Sequence, residues 1–410
     1  MPATAIRDPV APALGNEGTA IPPTVSRGRR EGLWKALRAL QRITTLHAVG
    51  RCRIAPVGEH VHIRETSPGR PRFSGLSTCG SVWACPICST AIQAARTEEL
   101  THAIEAAHLR GIKVAALTLT MRHKSHHGLK RMWDALSPSW AAALTSDRAV
   151  RRAKKTAEVI GWVRIVEARH GRNGWHLHIH ALVFFQEPEG LDALSDAIWQ
   201  GWRRRLDRAG FRPSRERGIK LRELSLSQAR EEVSSYHHKA TWESSASTAG
   251  RAAAAELGGQ AGKQGRDGRG SRSPFDLLRD VLASTGGDAD DLALWREWEQ
   301  ASQRRRARTW SKGLRRELLG DDADPDDDDL AGDQETEPAA AGTVALLDRD
   351  TWTGLRAGGL DGQLLDAVAD RGELAAFDAV GQFLAHHRLP PPIRPPQADP
   401  RPAKPDPGPP

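Results

Sequence analysis

Residues 159–185 read VIGWVRIVEARHGRNGWHLHIHALVFF. Two runs rich in β-branched and aromatic residues flank the polar HGRNG segment, so the stretch predicts a β-hairpin closed by a glycine turn. KVAALTLTM at 113–121 predicts a strand before it, and 218–224 a short strand after it. Helical spacing marks 90–109, where Ile92, Ala95, Leu100, Ile104 and Ala107 recur before Gly111 ends the run, and further helices are expected at 190–209 and 226–243. Between the first strand and the hairpin, two helical pieces broken at Pro138 are expected. The order strand, helix, hairpin, helix, strand, helix predicts an α+β fold of the ferredoxin-like kind with an antiparallel sheet.

The 410 residues exceed one ordinary domain, and 39% hydrophobic with 27% charged residues is ordinary globular usage. No apolar run approaches the roughly 18 residues needed to span a bilayer, and the N-terminus has no basic-then-apolar leader, so a cytoplasmic protein without membrane contact is expected. The net charge is +8, but residues 321–337 carry ten carboxylates and no Lys or Arg, leaving +18 on the remainder. A surplus of that size fits a polyanionic partner such as nucleic acid; solubility alone is the plainer reading. RRAKK at 151–155 and WRRRL at 202–206 are phosphate-tracking candidates or simply solvated helix faces.

Composition divides the chain. Residues 1–31 read as a disordered tail, 32–89 as a zinc-binding segment, 90–243 as the domain carrying the hairpin, and 244–273 as a flexible linker. A helical segment is expected at 274–319, an acidic linker at 320–343, a small helical segment at 344–388 and a proline-rich tail at 389–410.

All four cysteines fall early, as Cys52 and as Cys79, Cys85 and Cys88 in CGSVWACPIC. Cys85-Pro-Ile-Cys88 has zinc-knuckle spacing, with Cys79 and Cys52 completing a tetrahedral set. His60 or His62 could replace one thiolate, and four unrelated buried thiols are the bland alternative. A closed four-cysteine site leaves no position for substrate, so the expected role is structural. A nucleoside deaminase would need His-x-Glu with Pro-Cys-x-x-Cys, and Ala84 stands before Cys85.

His176, His178 and His180 alternate along the predicted strand and so share one face. Imidazoles so placed can hold a divalent ion; a partly exposed polar face is the other reading. If the turn centres between Arg172 and Asn173, Glu167 lies opposite His178 and Ile165 opposite His180, and a one-residue slip would change both partners. Glu167 could then join His178 and His180 as a ligand, with His176 the alternative, in a set suited to Mn²⁺ and tolerable for Mg²⁺. In the helix at 226–243, Glu232, Tyr236 and Lys239 share one face. Tyr236, the one tyrosine beside 13 Trp and 7 Phe, is a candidate nucleophile, Lys239 a phosphate contact and Glu232 a proton carrier. A solvated stripe with an ordinary ion pair is the plainer account of the same spacing.

These pieces jointly resemble a known family. GWHLHIHALVF resembles the His-hydrophobe-His signature of the HUH endonucleases, VSSYHHK their single-tyrosine motif, and LTLTMRH at 117–123 their first motif. With CGSVWACPIC upstream and PFDLLRD and WSKGL downstream, the chain from roughly 50 to 320 is similar to the rolling-circle plasmid replication initiators of actinobacteria. The resemblance implies a metal pair at His178 and His180, a nucleophile at Tyr236 and an acid at Glu232, acting on single-stranded origin DNA alongside a host helicase and polymerase. Leu177 stands where proline is frequent and Ala240 where a second tyrosine often follows the lysine. A mobilisation relaxase or single-tyrosine transposase would share the chemistry, and a zinc-containing DNA-binding regulator would lack it. No P-loop is present, as expected for exchange of one phosphodiester for another.

Overall fold

The hairpin forms as β4 (Val159–Gly171) and β5 (Gly174–Phe185), with Arg172 and Asn173 in the turn. These elements come from a computed structural model that describes residues 29–65, 69–146, 148–240, 242, 271–283, 289–321, 323–332 and 342–396. The expected N-terminal tail up to residue 28, the linker up to 270 and the proline-rich tail from 397 lie outside the described residues. In the described part, β3 (Lys113–Thr120) pairs with β5, β6 (Ile219–Leu224) with β3, and β7 (Arg308–Trp310) with β4, every pair antiparallel. The order β6-β3-β5-β4-β7 is a ferredoxin-like sheet with one further strand on the β4 edge.

Period-two alternation assigns the sheet's two faces. Trp175, Leu177, Ile179, Ala181 and Val183 of β5 enter a core with Trp133 and Trp140, and with Ile198 and Trp202 from the helix Leu191–Arg208. Leu182 and Phe184 point the other way, onto Leu100, Ile104 and Ala107 of the long helix Pro86–Leu109 and onto Ala229 and Val233 of the helix Leu226–Ala240. His176, His178 and His180 continue this second row toward the turn. The tyrosine helix and the histidines therefore share a face.

Pro138 does not break its helix, which runs Leu129–Ala141 and gives way to a π-turn at Ala142–Ser146. The missing N–H is outweighed by packing, because Trp133, Leu136 and Trp140 on either side of the proline are buried in the larger core. Gly201 permits the helix Leu191–Arg208 to lie against this turn: a Cβ there would meet the Ala142 carbonyl oxygen at 2.7 Å.

The segment read as helical from 274 to 319 contains β7, and the piece read as helical from 344 opens with β8 (Thr343–Leu347). That strand pairs antiparallel with β1 (Val61–Glu65), which also pairs with β2 (Pro71–Ser74). Trp34, Phe73 and Trp352 meet edge to face at centroid distances of 5.0 to 5.9 Å, so residues near both ends of the described chain share one core with the cysteines. Within the acidic stretch, Asp327–Ala331 is helical, and Ile393 of the proline-rich end bridges to Leu346. Short strands such as TVALL carry too few residues for periodicity to separate them from helix.

Candidate active site and metal centre

The hairpin register places Ile165 opposite His180 and Glu167 opposite His178, the pairing expected from a turn at Arg172 and Asn173. Glu167 nevertheless bonds diagonally, its Oε2 lying 2.9 Å from His180 Nε2, because sheet twist brings the i, j+2 neighbour within reach. On the neighbouring strand Thr120 and Thr118 face the same way. Thr120 Oγ1 lies 3.0 Å from His178 Nδ1 and Thr118 Oγ1 3.3 Å from His180 Nδ1. A hydroxyl accepting an imidazole Nδ1–H turns the Nε2 lone pair outward, the usual arrangement behind metal-binding histidines, and at His180 that Nε2 faces Glu167. His176 stacks on His178 at 4.0 Å and on His123 at 4.6 Å; its Nε2 is buried without a partner among the described residues, and burial holds its pKa down to about 4. It is therefore neutral near pH 7.

Tyr236 lies across the same face, its ring 4.9 Å from that of His180. It is buried, and its hydroxyl donates to Glu232 Oε1 at 2.8 Å, one helical turn earlier. Arg222 from β6 donates to the other carboxylate oxygen at 2.6 Å. Burial, then the Glu232 charge, pushes the phenol well above its ordinary pKa. Such a phenol is a weak attacker until a base takes its proton, and Glu232 is positioned to do so. The side chains of Lys239 and His237 lie outside the described residues. A cavity of about 780 Å³, counted out to its mouth, opens beside Glu167 and Tyr236 between Trp83, Leu100, Val233 and Phe275.

The four cysteines behave differently. Cys85 caps the helix Pro86–Leu109, with Pro86 supplying its first turn, and its sulfur accepts from the Cys88 amide. Cys52 follows the short helix His47–Arg51, and Cys79 precedes Gly80, whose φ of 55° lets the loop double back. The Sγ separations are 3.6 Å for Cys52–Cys88, 3.7 Å for Cys79–Cys88 and 3.8 Å for Cys52–Cys85. A tetrahedron with Zn–S bonds of about 2.3 Å has edges of about 3.8 Å, so the cluster could hold an ion such as zinc. Hydrogen bonds from Cys52, Cys79 and Cys85, then the charge of Arg53, hold the Cys88 thiol well below its usual pKa, providing one thiolate from which a metal site can assemble. His60 and His62 are not part of the cluster. Among the described residues this is the one set of three or more His, Cys, Asp or Glu ligand atoms lying mutually within 4.8 Å; His178 and His180 are more open, their rings 5.9 Å apart.

Thr118, Thr120 and Arg222 were not singled out from the sequence, although LTLT displays both threonines in strand alternation. The basic runs at 151–155 and 202–206 lie on helices packed against the opposite sheet face, and Lys154 donates to the Leu144 carbonyl at 3.3 Å and covers the Trp162 ring at 4.5 Å. No helix among the described residues is long and apolar enough to cross a membrane.

The replication protein family matches residues 72–236, an interval that runs from β2 to Tyr236. The chain is 29% identical over 331 residues to "Protein rep" of Streptomyces lividans, covering 66% of this chain and 70% of the relative. It is 31% identical over 142 residues to a "Neomycin resistance protein" of Streptomyces cyanogenus, covering 29% of this chain and 32% of that one. No solved structure gives a significant match.

Proposed function

We propose, from the match of residues 72–236 to the replication protein family, that the chain initiates plasmid rolling-circle replication by nicking and rejoining single-stranded origin DNA through a 5′-phosphotyrosine. The observation that carries this reading is the hydrogen bond from the Tyr236 hydroxyl to Glu232, on the sheet face that bears His178, His180 and Glu167. Glu232 removes the phenolic proton as Tyr236 Oη bonds to the scissile phosphorus. The bond from phosphorus to the 3′ oxygen breaks, leaving a 3′ hydroxyl for a host polymerase once that oxygen has taken up a proton. Rejoining reverses these steps, with an incoming 3′ hydroxyl losing its proton and Tyr236 regaining one. Arg222 fixes the outer oxygen of Glu232 so that the inner one stays on the phenol.

His178, His180 and Glu167 would hold Mn²⁺ or Mg²⁺, with His176 the alternative ligand; the threonine contacts at the two Nδ1 atoms fit such a site, in which the ion would replace the direct bond between His180 and Glu167. When bound, the ion supplies electrophilic activation of the scissile phosphate. Lys239 is assigned a phosphate contact from its helix position. Cys52, Cys79, Cys85 and Cys88 hold a structural zinc ion in this reading, and the protein acts in the cytoplasm with a host helicase and polymerase. The test incubates the protein with labelled single-stranded origin DNA and Mn²⁺ and runs the products on a denaturing gel. A covalent adduct is expected, and binding without any adduct would turn the assignment toward a non-catalytic regulator.

A further inference from the structure

A groove of about 1570 Å³, counted out to its open mouth, shares Val82, Trp83, Arg96 and Arg308 with the cavity beside Tyr236. Arg304, Arg305, Arg306 and Arg308 line it with Arg96 of the long helix, and Asp324, Asp326 and Asp327 of the acidic segment line it too. Five guanidinium groups thus face three carboxylates. Arg305 also pairs with Asp134 and Arg308 with Glu99, so the groove is near balance with the acidic segment in place and positive without it.

The contacts of that segment resemble those of a docked anion. Arg96 Nη2 pairs with Asp327, and Arg308 Nη2 lies 3.1 Å from Asp324. Arg96 and Arg308 are only 7% and 4% exposed, yet Arg96 Nε and Nη1 and Arg308 Nε have no partner among the described residues. The two aspartates therefore leave guanidinium donors unmet, a fit that an anion of different shape, such as a phosphodiester, could improve. Buried ion pairs lose much of their attraction to desolvation, so exchanging one anion for another in this position is energetically cheap. Burial pushes the Asp327 carboxyl up and the Arg96 guanidinium down.

We propose that this groove binds the DNA backbone flanking the nick, and that residues 324–327 occupy it as an intrachain substitute for phosphates until DNA displaces them. The inference rests on the nickase reading, because what joins the groove to DNA is its continuity with the cavity at Tyr236. The segment then acts as a competitor: weak non-specific DNA is kept out, while origin DNA with additional contacts enters.

The test uses the full chain carrying Tyr236→Phe, so that no cleavage occurs, and follows fluorescence anisotropy of a short labelled single-stranded oligonucleotide unrelated to any origin, across a salt series. Asp324→Asn with Asp327→Asn should tighten binding by about fivefold or more and steepen the salt dependence. Arg304→Gln with Arg306→Gln, at exposed positions, should weaken binding and reduce the log–log salt slope by about 1.4, the value for two single-strand phosphate contacts. Unchanged affinity and slope in both pairs would overturn the proposal. If circular dichroism shows the aspartate pair unfolded, the arginine pair decides, and an unchanged slope overturns it. Adduct formation by the wild-type chain on origin DNA is read separately, so loss of the nickase reading and loss of the groove give different results.

Discussion

The cysteine cluster could hold a metal ion and the histidine face is proposed to, and they differ in how much of the site the protein completes alone. At the cysteines every sulfur has another within 3.8 Å, three of the four residues are buried, and the spacing already approximates a tetrahedron. At the histidines the Nδ1 atoms of His178 and His180 meet threonines, His180 Nε2 meets Glu167, and it is Glu167 and Tyr236 that border a cavity. A closed site holds structure and an open one admits a reacting group. On the proposed reading, folding belongs to the first and chemistry to the second.

The sharpest way to break that contrast is Tyr236→Phe. No other tyrosine exists, so the adduct should vanish with any metal while circular dichroism stays unchanged; an adduct on another residue would end the reading. His178→Ala and His180→Ala should each lower nicking by about a thousandfold or more at near-constant DNA affinity, since phosphate contacts elsewhere carry most of the binding. Full nicking by His178→Ala would contradict the ligand set, and a milder loss in His176→Ala would keep that residue in its alternative role. Cys88→Ser should act in the opposite manner, removing about one zinc per chain by metal analysis and melting the surrounding core, because metal binding at such sites is folding free energy. A variant that stays folded without zinc would erase the distinction.

Glu232→Ala sharpens the comparison within the open site. In the wild type a carboxylate takes the phenolic proton, so nicking should be nearly flat from pH 7 to 9. Without it the Glu232 charge no longer raises the phenol but burial still does, so the rate should climb with pH, by about tenfold per unit. Nicking should persist at the upper end of that range, while release of unit-length circles fails for want of a base to activate water. Normal termination would move that role to His237 or Glu231. The smallest effect belongs to Thr120→Val, where losing the Nδ1 partner should weaken Mn²⁺ affinity by roughly 10- to 100-fold, measurable by titration. A Val variant with unchanged affinity would show that Thr120 does not orient His178.

Local rules made the hairpin legible. Alternation fixed which residues share a face, and the glycine turn fixed which residue opposes which, down to Glu167 across from His178. The same rules could not show that Glu167 reaches past its direct partner to His180, since that depends on twist. Thr118, Thr120 and Arg222 come from strands distant in sequence, and only the assembled order β6-β3-β5 brings them to the histidines. Pro138 was misread because a single-residue propensity was outweighed by the tryptophans around it. The strands β7 and β8 went unseen because their pairing partners lie far along the chain.

The pairing of β1 with β8 also sets a timetable for synthesis. The sheet with the tyrosine can close once β7 has left the ribosome, but Trp34 and Phe73 must wait for Trp352. Until then the half-built core around the cysteines exposes aromatic surface to chaperones and proteases. A chain ending between residues 311 and 342 would thus keep every strand of the larger sheet together with Tyr236, while the core around Trp34 and Phe73 could not close.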